Sequence, residues 1–117
     1  MHKIVNFISG RKLAGSEQVS IDYIDILNNA KFETYSIVRS NSSLLKIIKN
    51  KNYKNIYTIK LYPNIPLFKK HPIKKMQNLI NKINPSCIIA HKQKDLLFIK
   101  RACPSTPLIY VAHSFEV

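Results

Sequence analysis

The chain has 117 residues, is 45% hydrophobic and carries a formal net charge of +13. That length supports one domain with a single core, residues 1–117, and that hydrophobic content excludes a disordered chain. No apolar run approaches the roughly 20 residues of a membrane span, and Met1-His2-Lys3 with the short apolar run behind it is too brief for a secretion signal, so the expectation is a cytoplasmic protein.

In chain order, Ile4–Ile8 is a continuous apolar run of the kind a strand shows when both faces of a parallel sheet are covered. It leads into Ser9-Gly10 and a short basic turn, Arg11-Lys12-Leu13-Ala14-Gly15, which holds both glycines of the chain. Glycine permits positive φ and the close approach of a ligand or a neighbouring segment, so this turn reads as a phosphate-side loop. Residues 16–30 read as a helix with Ser16 as N-cap and Glu17 suited to the positive helix start. Val19, Tyr23, Ile26, Leu27 and Ala30 share one face and are expected inward, with Gln18, Asp22, Asp25 and Asn29 outward.

Thr34–Val38 is β-branched and aromatic, hence a second strand. Arg39-Ser40-Asn41-Ser42 makes a turn and cap, Leu44–Lys49 a short helix, and Ile56–Ile59 a third strand. After an irregular stretch over 60–71, Pro72 suits the first turn of a helix whose inner face is Ile73, Met76, Leu79, Ile80 and Ile83. Asn84-Pro85 ends it. Cys87–Ala90 is a fourth strand, Lys92–Cys103 a helix with Leu96, Ile99, Ala102 and Cys103 inward, and Leu108–Ala112 a fifth strand.

This alternation predicts an α/β fold of three layers: a parallel sheet of about five strands, joined by right-handed crossovers, with helices on both faces. Ligands of such sheets gather at the C-terminal strand ends. Gly10–Gly15, Arg39–Asn41, His91 and His113-Ser114 each follow a strand and are therefore expected at one edge. Two histidines directly after buried strands, His91 and His113, can donate hydrogen bonds to hydroxyls or phosphates, or can simply cap the structure. His2 and His71 lack that context and read as surface.

Several chemistries are excluded. The glycines do not form the dinucleotide fingerprint, and Arg39 stands where a dehydrogenase would place an acid. No phosphate-loop lysine, catalytic triad or zinc-protease motif is present. Cys87 and Cys103, sixteen apart with no histidine pattern between them, read as reduced and buried or half-buried, so no metal site is expected.

The charge is uneven. Residues 1–45 hold five basic residues (Lys3, Arg11, Lys12, Lys31, Arg39) against four acidic ones (Glu17, Asp22, Asp25, Glu33), so nearly all the excess lies later. Lys69, Lys70, Lys74 and Lys75, interleaved with Leu67, Phe68, Ile73 and Met76, form the strongest basic-apolar cluster. It reads either as an amphipathic helix with a solvated lysine face or as a contact with anionic lipid, each lysine adding on the order of 1 kcal/mol at a charged surface. Part of the charge also fits the abundance of Lys, Asn and Ile that AT-rich coding produces. No aromatic stacking platform or recognition-helix pattern supports nucleic acid.

The succession Asn6-Phe7-Ile8-Ser9-Gly10, Leu13-Ala14-Gly15-Ser16-Glu17-Gln18-Val19, Tyr35–Arg39, Asn84–Lys92 and Pro107–Ser114 resembles the N-terminal, acceptor-side domain of family 4 glycosyltransferases with the GT-B fold, over the whole chain. The resemblance implies a Rossmann-like domain forming half of a GT-B architecture. It implies retaining transfer of a sugar from a nucleotide-diphosphate donor to an acceptor hydroxyl, with no cofactor and no obligatory metal. By the same resemblance Gly15 and Ala14 would lie at the donor diphosphate, His113 at the transferred sugar and catalytically active, and His91, Arg39 and Glu17 on the acceptor side. Ala14 and Ser114 stand where the family has glycines. The family's second, nucleotide-sugar domain has no counterpart in these residues, so the chain alone is expected to transfer no sugar unless a complementing C-terminal chain joins it. Many family members work on lipid-linked acceptors, which would place the protein at the inner membrane face. Two other readings stand beside this one: a self-sufficient module binding a phosphorylated small molecule, and a non-catalytic basic adaptor for membrane or nucleic acid.

Overall fold

Apart from Lys3 and Asn6, Lys3–Ile8 is apolar because the strand it forms is central and covered on both sides. A computed structural model describes residues 2–61 and 70–112, Lys70 without its side chain. Its strands are β1 (Lys3–Ile8), β2 (Glu33–Arg39), β3 (Ile56–Ile59), β4 (Cys87–Ala90) and β5 (Leu108–Tyr110). Its helices are α1 (Gly15–Asn29), α2 (Ser43–Asn50), α3 (Lys70–Ile83) and α4 (Gln93–Ala102). All neighbouring strands pair in parallel in the order β3-β2-β1-β4-β5, with Ile4 opposite both Thr34 and Cys87. The α/β sheet of five strands with helices on both faces is thus as the alternation predicts, and it is Rossmann-like.

The period of two along the strands sorts the core into two layers. Val5, Phe7, Ile37, Ile59, Ile88 and Ala90 point to the side covered by α3 and α4, where they meet Met76, Leu79, Ile80, Ile83, Phe98 and Ile99. Ile8 and Val38 point the other way, against Ile21 and Ile24 of α1 and Leu44 and Ile48 of α2. Ile4 and Ile89 share that second side and meet Leu27 of α1.

The inner faces of α3 and α4 match the periodicity, with Phe98 and Asp95 added to the buried set. The inner face of α1 does so only at Leu27, with Tyr23 half-buried. Its buried residues are Glu17, Ser20, Ile21, Ile24 and Leu27, whereas Val19 and Ile26 are exposed, as is Ala30 beyond the helix end. The stripe that packs is the aliphatic Ile21, Ile24 and Leu27, and the two polar residues on that side are satisfied, Ser20 through its Oγ donating to Ser16 O within the helix and Glu17 through Lys92. Asn6 Nδ2 donates to Ser20 O at 3.0 Å, and Glu17 is ion-paired.

Helix starts follow local capping. Ser42 caps α2, its Oγ accepting from Leu45 N at 3.3 Å, as its position in the turn predicts. At α1 the N-cap is Ala14, not Ser16; Ser16 lies inside the helix and its Oγ donates to Glu17 Oε1. α3 ends as Asn84 takes a left-handed φ of 54°, a conformation asparagine tolerates. Both cysteines are free thiols, Cys87 half-buried and Cys103 buried, the latter pushed up to about 11 by burial.

Candidate functional site

Parallel strands end on one side of the sheet, and the strand order reverses between β1 and β4. The crevice at such a reversal is where open α/β sheets bind ligands. Here it is flanked by the starts of α1 and α4, and neither N-cap residue, Ala14 or Lys92, gives its helix a side-chain acceptor. Each helix start carries partial positive charge, set here against an acid in its first turn, Glu17 in α1 and Asp95 in α4.

The β1–α1 turn is built by Gly10. A Cβ there would overlap Glu17 Cγ and lie 2.9 Å from Glu17 Oε2. Gly10 therefore admits a neighbouring side chain at close range. Positive φ plays no part: among the described residues it occurs at Lys31, Asn52, Asn55 and Asn84 and at no glycine. Ala14 is extended, with φ −143° and ψ −175°, which any residue adopts, so its Cβ is no obstacle to the turn. Among the described residues a Cβ on Gly15 would meet nothing within 4 Å, leaving the first residue of α1 open to approach. Arg11 and Lys12 are exposed beside it.

Glu17 lies under this turn in the first helical turn, buried, with Lys92 Nζ 2.5 Å from its Oε2. Burial works to raise its carboxyl, but the hydrogen bond and charge of Lys92, with Ser16 behind them, prevail and hold it below its ordinary 4.5. The pair joins α1 to the start of α4 across the crevice.

A second link runs through residues that the pattern of motifs does not single out. Ser9 Oγ donates to Asp95 Oδ2 at 2.5 Å, tying β1 to the first turn of α4. Burial pushes the Asp95 carboxyl up, against the hydrogen bond from Ser9 and the charges of Lys94, Lys92 and Arg39. Arg39 is buried at the end of β2 and donates to Ser9 O at 3.5 Å, Leu61 O at 2.9 Å and Asn41 Oδ1 at 3.2 Å. Burial and the charge of Arg11 lower its affinity for the proton, while Asp95 restores part of it. Arg39 therefore clamps the loops after β1, β2 and β3. Ser43 adds a further tie, its backbone N and its Oγ both donating to Arg11 O.

His91 follows β4 and turns inward. Its Nε2 is 2.6 Å from Asn6 Oδ1, and its ring meets Tyr23 edge-on with centroids 5.1 Å apart. Because Asn6 Nδ2 already donates to Ser20 O, Asn6 Oδ1 is the acceptor and Nε2 of His91 donates to it. Asn6 was detectable in principle: a carboxamide in the middle of a buried apolar strand demands a partner. Asp95 is likewise the single acid in the basic segment Lys92–Arg101.

Three of the four strand-end groups thus meet at one edge: the glycine turn, Arg39–Asn41 and His91. The fourth, His113-Ser114, lies outside the described residues, as does Lys69. Lys70 opens α3, while Lys74 and Lys75 are exposed on it and border a shallow recess with His71 and Asn78. Among the described residues no three His, Cys, Asp or Glu side chains are grouped to hold a metal ion, and no helix is long and apolar enough to cross a membrane. The chain matches no protein-family model and no curated protein sequence.

Proposed function

We propose that this chain is the acceptor-side half of a glycosyltransferase of the GT-B type, resembling family 4, and that the β1/β4 crevice is one wall of its nucleotide-sugar cleft. The observation that carries the reading is the open start of α1. Gly15 leaves room for a bulky group directly over the helix N-terminus, with Arg11 and Lys12 beside it. A diphosphate there would accept from backbone amides and be held by the helix dipole. Glu17 and Lys92 keep the turn in place beneath, and Arg39 and Asp95 fix the neighbouring loops. His113 is the residue we assign to the transferred sugar, by resemblance alone. The acceptor hydroxyl and a complementing C-terminal chain complete the cleft. The reading needs no cofactor and no metal.

Ligand binding tests it. A panel of nucleotide-diphosphate sugars, nucleoside monophosphates and simple sugar phosphates is titrated by calorimetry against the wild-type chain and Gly15→Val. The expected result is binding of the diphosphate sugars that falls by about tenfold or more in Gly15→Val, whose side chain enters open space and leaves the fold intact. Turnover by the isolated chain, or binding indifferent to residue 15, refutes the proposal. Preference for simple sugar phosphates transfers the site to the phosphorylated-small-molecule reading.

The joint exposure of Lys74 and Lys75 favours one addition, that this part of α3 rests on anionic lipid at the inner membrane face. Flotation with phosphatidylserine vesicles at low salt, lost at high salt and in Lys74→Glu/Lys75→Glu, is the expected result. Flotation unaffected by both changes removes the addition.

A further inference from the structure

The edge of the sheet opposite the crevice collects rings and cations that the sequence scatters. In a parallel sheet with crossover helices, strands start and helices end at one edge. Lys3 opens β1, Lys31 precedes β2, Lys51 and Lys54 precede β3, and Lys82 lies in the last turn of α3. All but Lys3 are exposed. A last-turn lysine such as Lys82 complements the dipole of its own helix, but Lys3, Lys31 and Lys54 lie outside any helix. Among the described residues two acids border these lysines, and both are engaged. Glu33 Oε2 accepts from Tyr35 Oη at 2.8 Å, and Asp25 Oδ2 accepts from Tyr53 Oη at 2.8 Å. Around the starts of β1, β2 and β3 the edge therefore carries an excess of positive charge.

Two tyrosines stand among these cations. Tyr35 of β2 and Tyr57 of β3 share the sheet face of Ile37 and Ile59, and both are half-buried at the rim of that core. The register sets Tyr57 opposite Ile37, so Tyr35 is its diagonal neighbour. Their rings lie 6.3 Å apart, centroid to centroid, with planes 27° from parallel. Lys3 Nζ stands over the Tyr35 ring, 6.0 Å from its centroid, and Lys82 Nζ stands over the Tyr57 ring at 5.3 Å. β3 is an edge strand, so among the described residues no further strand flanks Tyr57. The tyrosines lie on separate strands with α2 between them in the chain, so no local motif reveals the pair.

These contacts indicate the ligand. A ring face met by an ammonium group, rather than by packed carbon, is one that a planar base can take. The displaced lysine then turns to the phosphate that accompanies the base and keeps its charge paired. A simple anion or an acidic surface would use the lysines and leave the tyrosines idle. A duplex keeps its base faces stacked inward, whereas a single strand offers them. We propose that this edge binds single-stranded nucleic acid, with bases stacked on Tyr35 and Tyr57 and with Lys3, Lys54 and Lys82 against the backbone. The edge and the crevice lie at opposite ends of the strands, so neither function requires the other.

Fluorescence anisotropy with labelled oligo(dT) and oligo(U) of about 12 nucleotides tests this, beside a duplex of the same length, heparin and phosphatidylserine vesicles. The expected result is saturable, salt-sensitive binding of the single strands, weaker binding of the duplex, and a loss of about tenfold in Tyr57→Ala and in Tyr35→Ala. Tyr57→Phe, which keeps the ring, retains binding. Lys82→Gln makes the slope of log affinity against log salt shallower by about 0.7. The two oligomers separate RNA from DNA, and circular dichroism checks the fold of each variant. The wild-type protein supplies an arm that needs no substitution: a 4-thiouridine oligomer, photo-cross-linked and mapped by mass spectrometry, should attach at Tyr35 or Tyr57. No binding, cross-links only elsewhere, or affinities indifferent to both tyrosines overturn the proposal. Heparin or duplex bound as tightly as the single strands reduces the edge to a patch of charge, and vesicles bound without oligonucleotide give it to lipid; each overturns the proposal equally.

Discussion

Gly10→Ala tests how the β1–α1 turn is held. The added methyl would overlap Glu17 Cγ and come within 3.0 Å of Cδ and 2.9 Å of Oε2. The main chain must move, or the Glu17 side chain must swing away. Overpacking of this kind costs about 1–3 kcal/mol. Swinging away also parts Glu17 from Lys92, and breaking a fully buried pair costs about 3–5 kcal/mol. The Lys92 side chain is 30% exposed, which reduces the pair's share to about 1–2 kcal/mol. The expected cost of Gly10→Ala is therefore about 2–5 kcal/mol, a large part of the ~5–15 kcal/mol that stabilises an ordinary domain. The discriminating step is a double-mutant cycle with Lys92→Met, followed by urea denaturation. With the pair already absent, Gly10→Ala should cost about 1 kcal/mol less. The same pair predicts a pH dependence. Glu17 is held below its ordinary 4.5, so its contribution is full above that value and fades as pH falls through the lower folded value. The coupling should shrink in acid accordingly. A cost of Gly10→Ala under about 0.5 kcal/mol, or costs that simply add, would refute the argument.

Three further outcomes are expected. Asp95 has the opposite sign from Glu17: burial raises its folded value above 3.8, so the penalty is absent below 3.8 and complete only above the folded value. Asp95→Asn, which still accepts from Ser9, should stabilise the protein at neutral pH and lose that advantage as the solution is acidified, as measured by denaturation across pH. Ile24→Ala should cost about 2–5 kcal/mol and Ile26→Ala under about 0.5 kcal/mol, because Ile24 is 1% exposed and Ile26 faces solvent; equal losses would contradict the packing of α1. Ser36 is fully buried and its Oγ has no hydrogen-bond partner among the described residues, so Ser36→Ala should raise the melting temperature or leave it unchanged, and a fall would point to a partner outside them.

The site was only partly legible. The glycine turn, Arg39 and His91 could be assigned to one edge, because parallel topology forces strand ends together whatever the side chains are. How they act there could not be read. Arg39 serves as a clamp between loops and His91 turns inward to Asn6, since each found a partner on an element remote in sequence. Ser9 and Asp95, separated by 86 residues, carry no local signal of belonging together.

Element identity, by contrast, is a local property. Periods of two and of 3.6, β-branched runs, prolines and the Ser42 cap were enough to place five strands, four helices and their alternation, because each depends on residues a few positions apart. The order β3-β2-β1-β4-β5 and the orientation of α1 depend on what each surface meets. α1 has two apolar stripes, and periodicity selects Val19, Tyr23, Ile26, Leu27 and Ala30, of which Leu27 alone is buried. Folding selects the other, Ile21-Ile24-Leu27, where Glu17 finds Lys92 across the crevice and Ser20 needs no partner from the sheet, its Oγ donating to Ser16 O. A polar residue can share a buried stripe once it has a partner. The partners became neighbours only when β1 and β4 were paired, a contact between residues more than eighty positions apart.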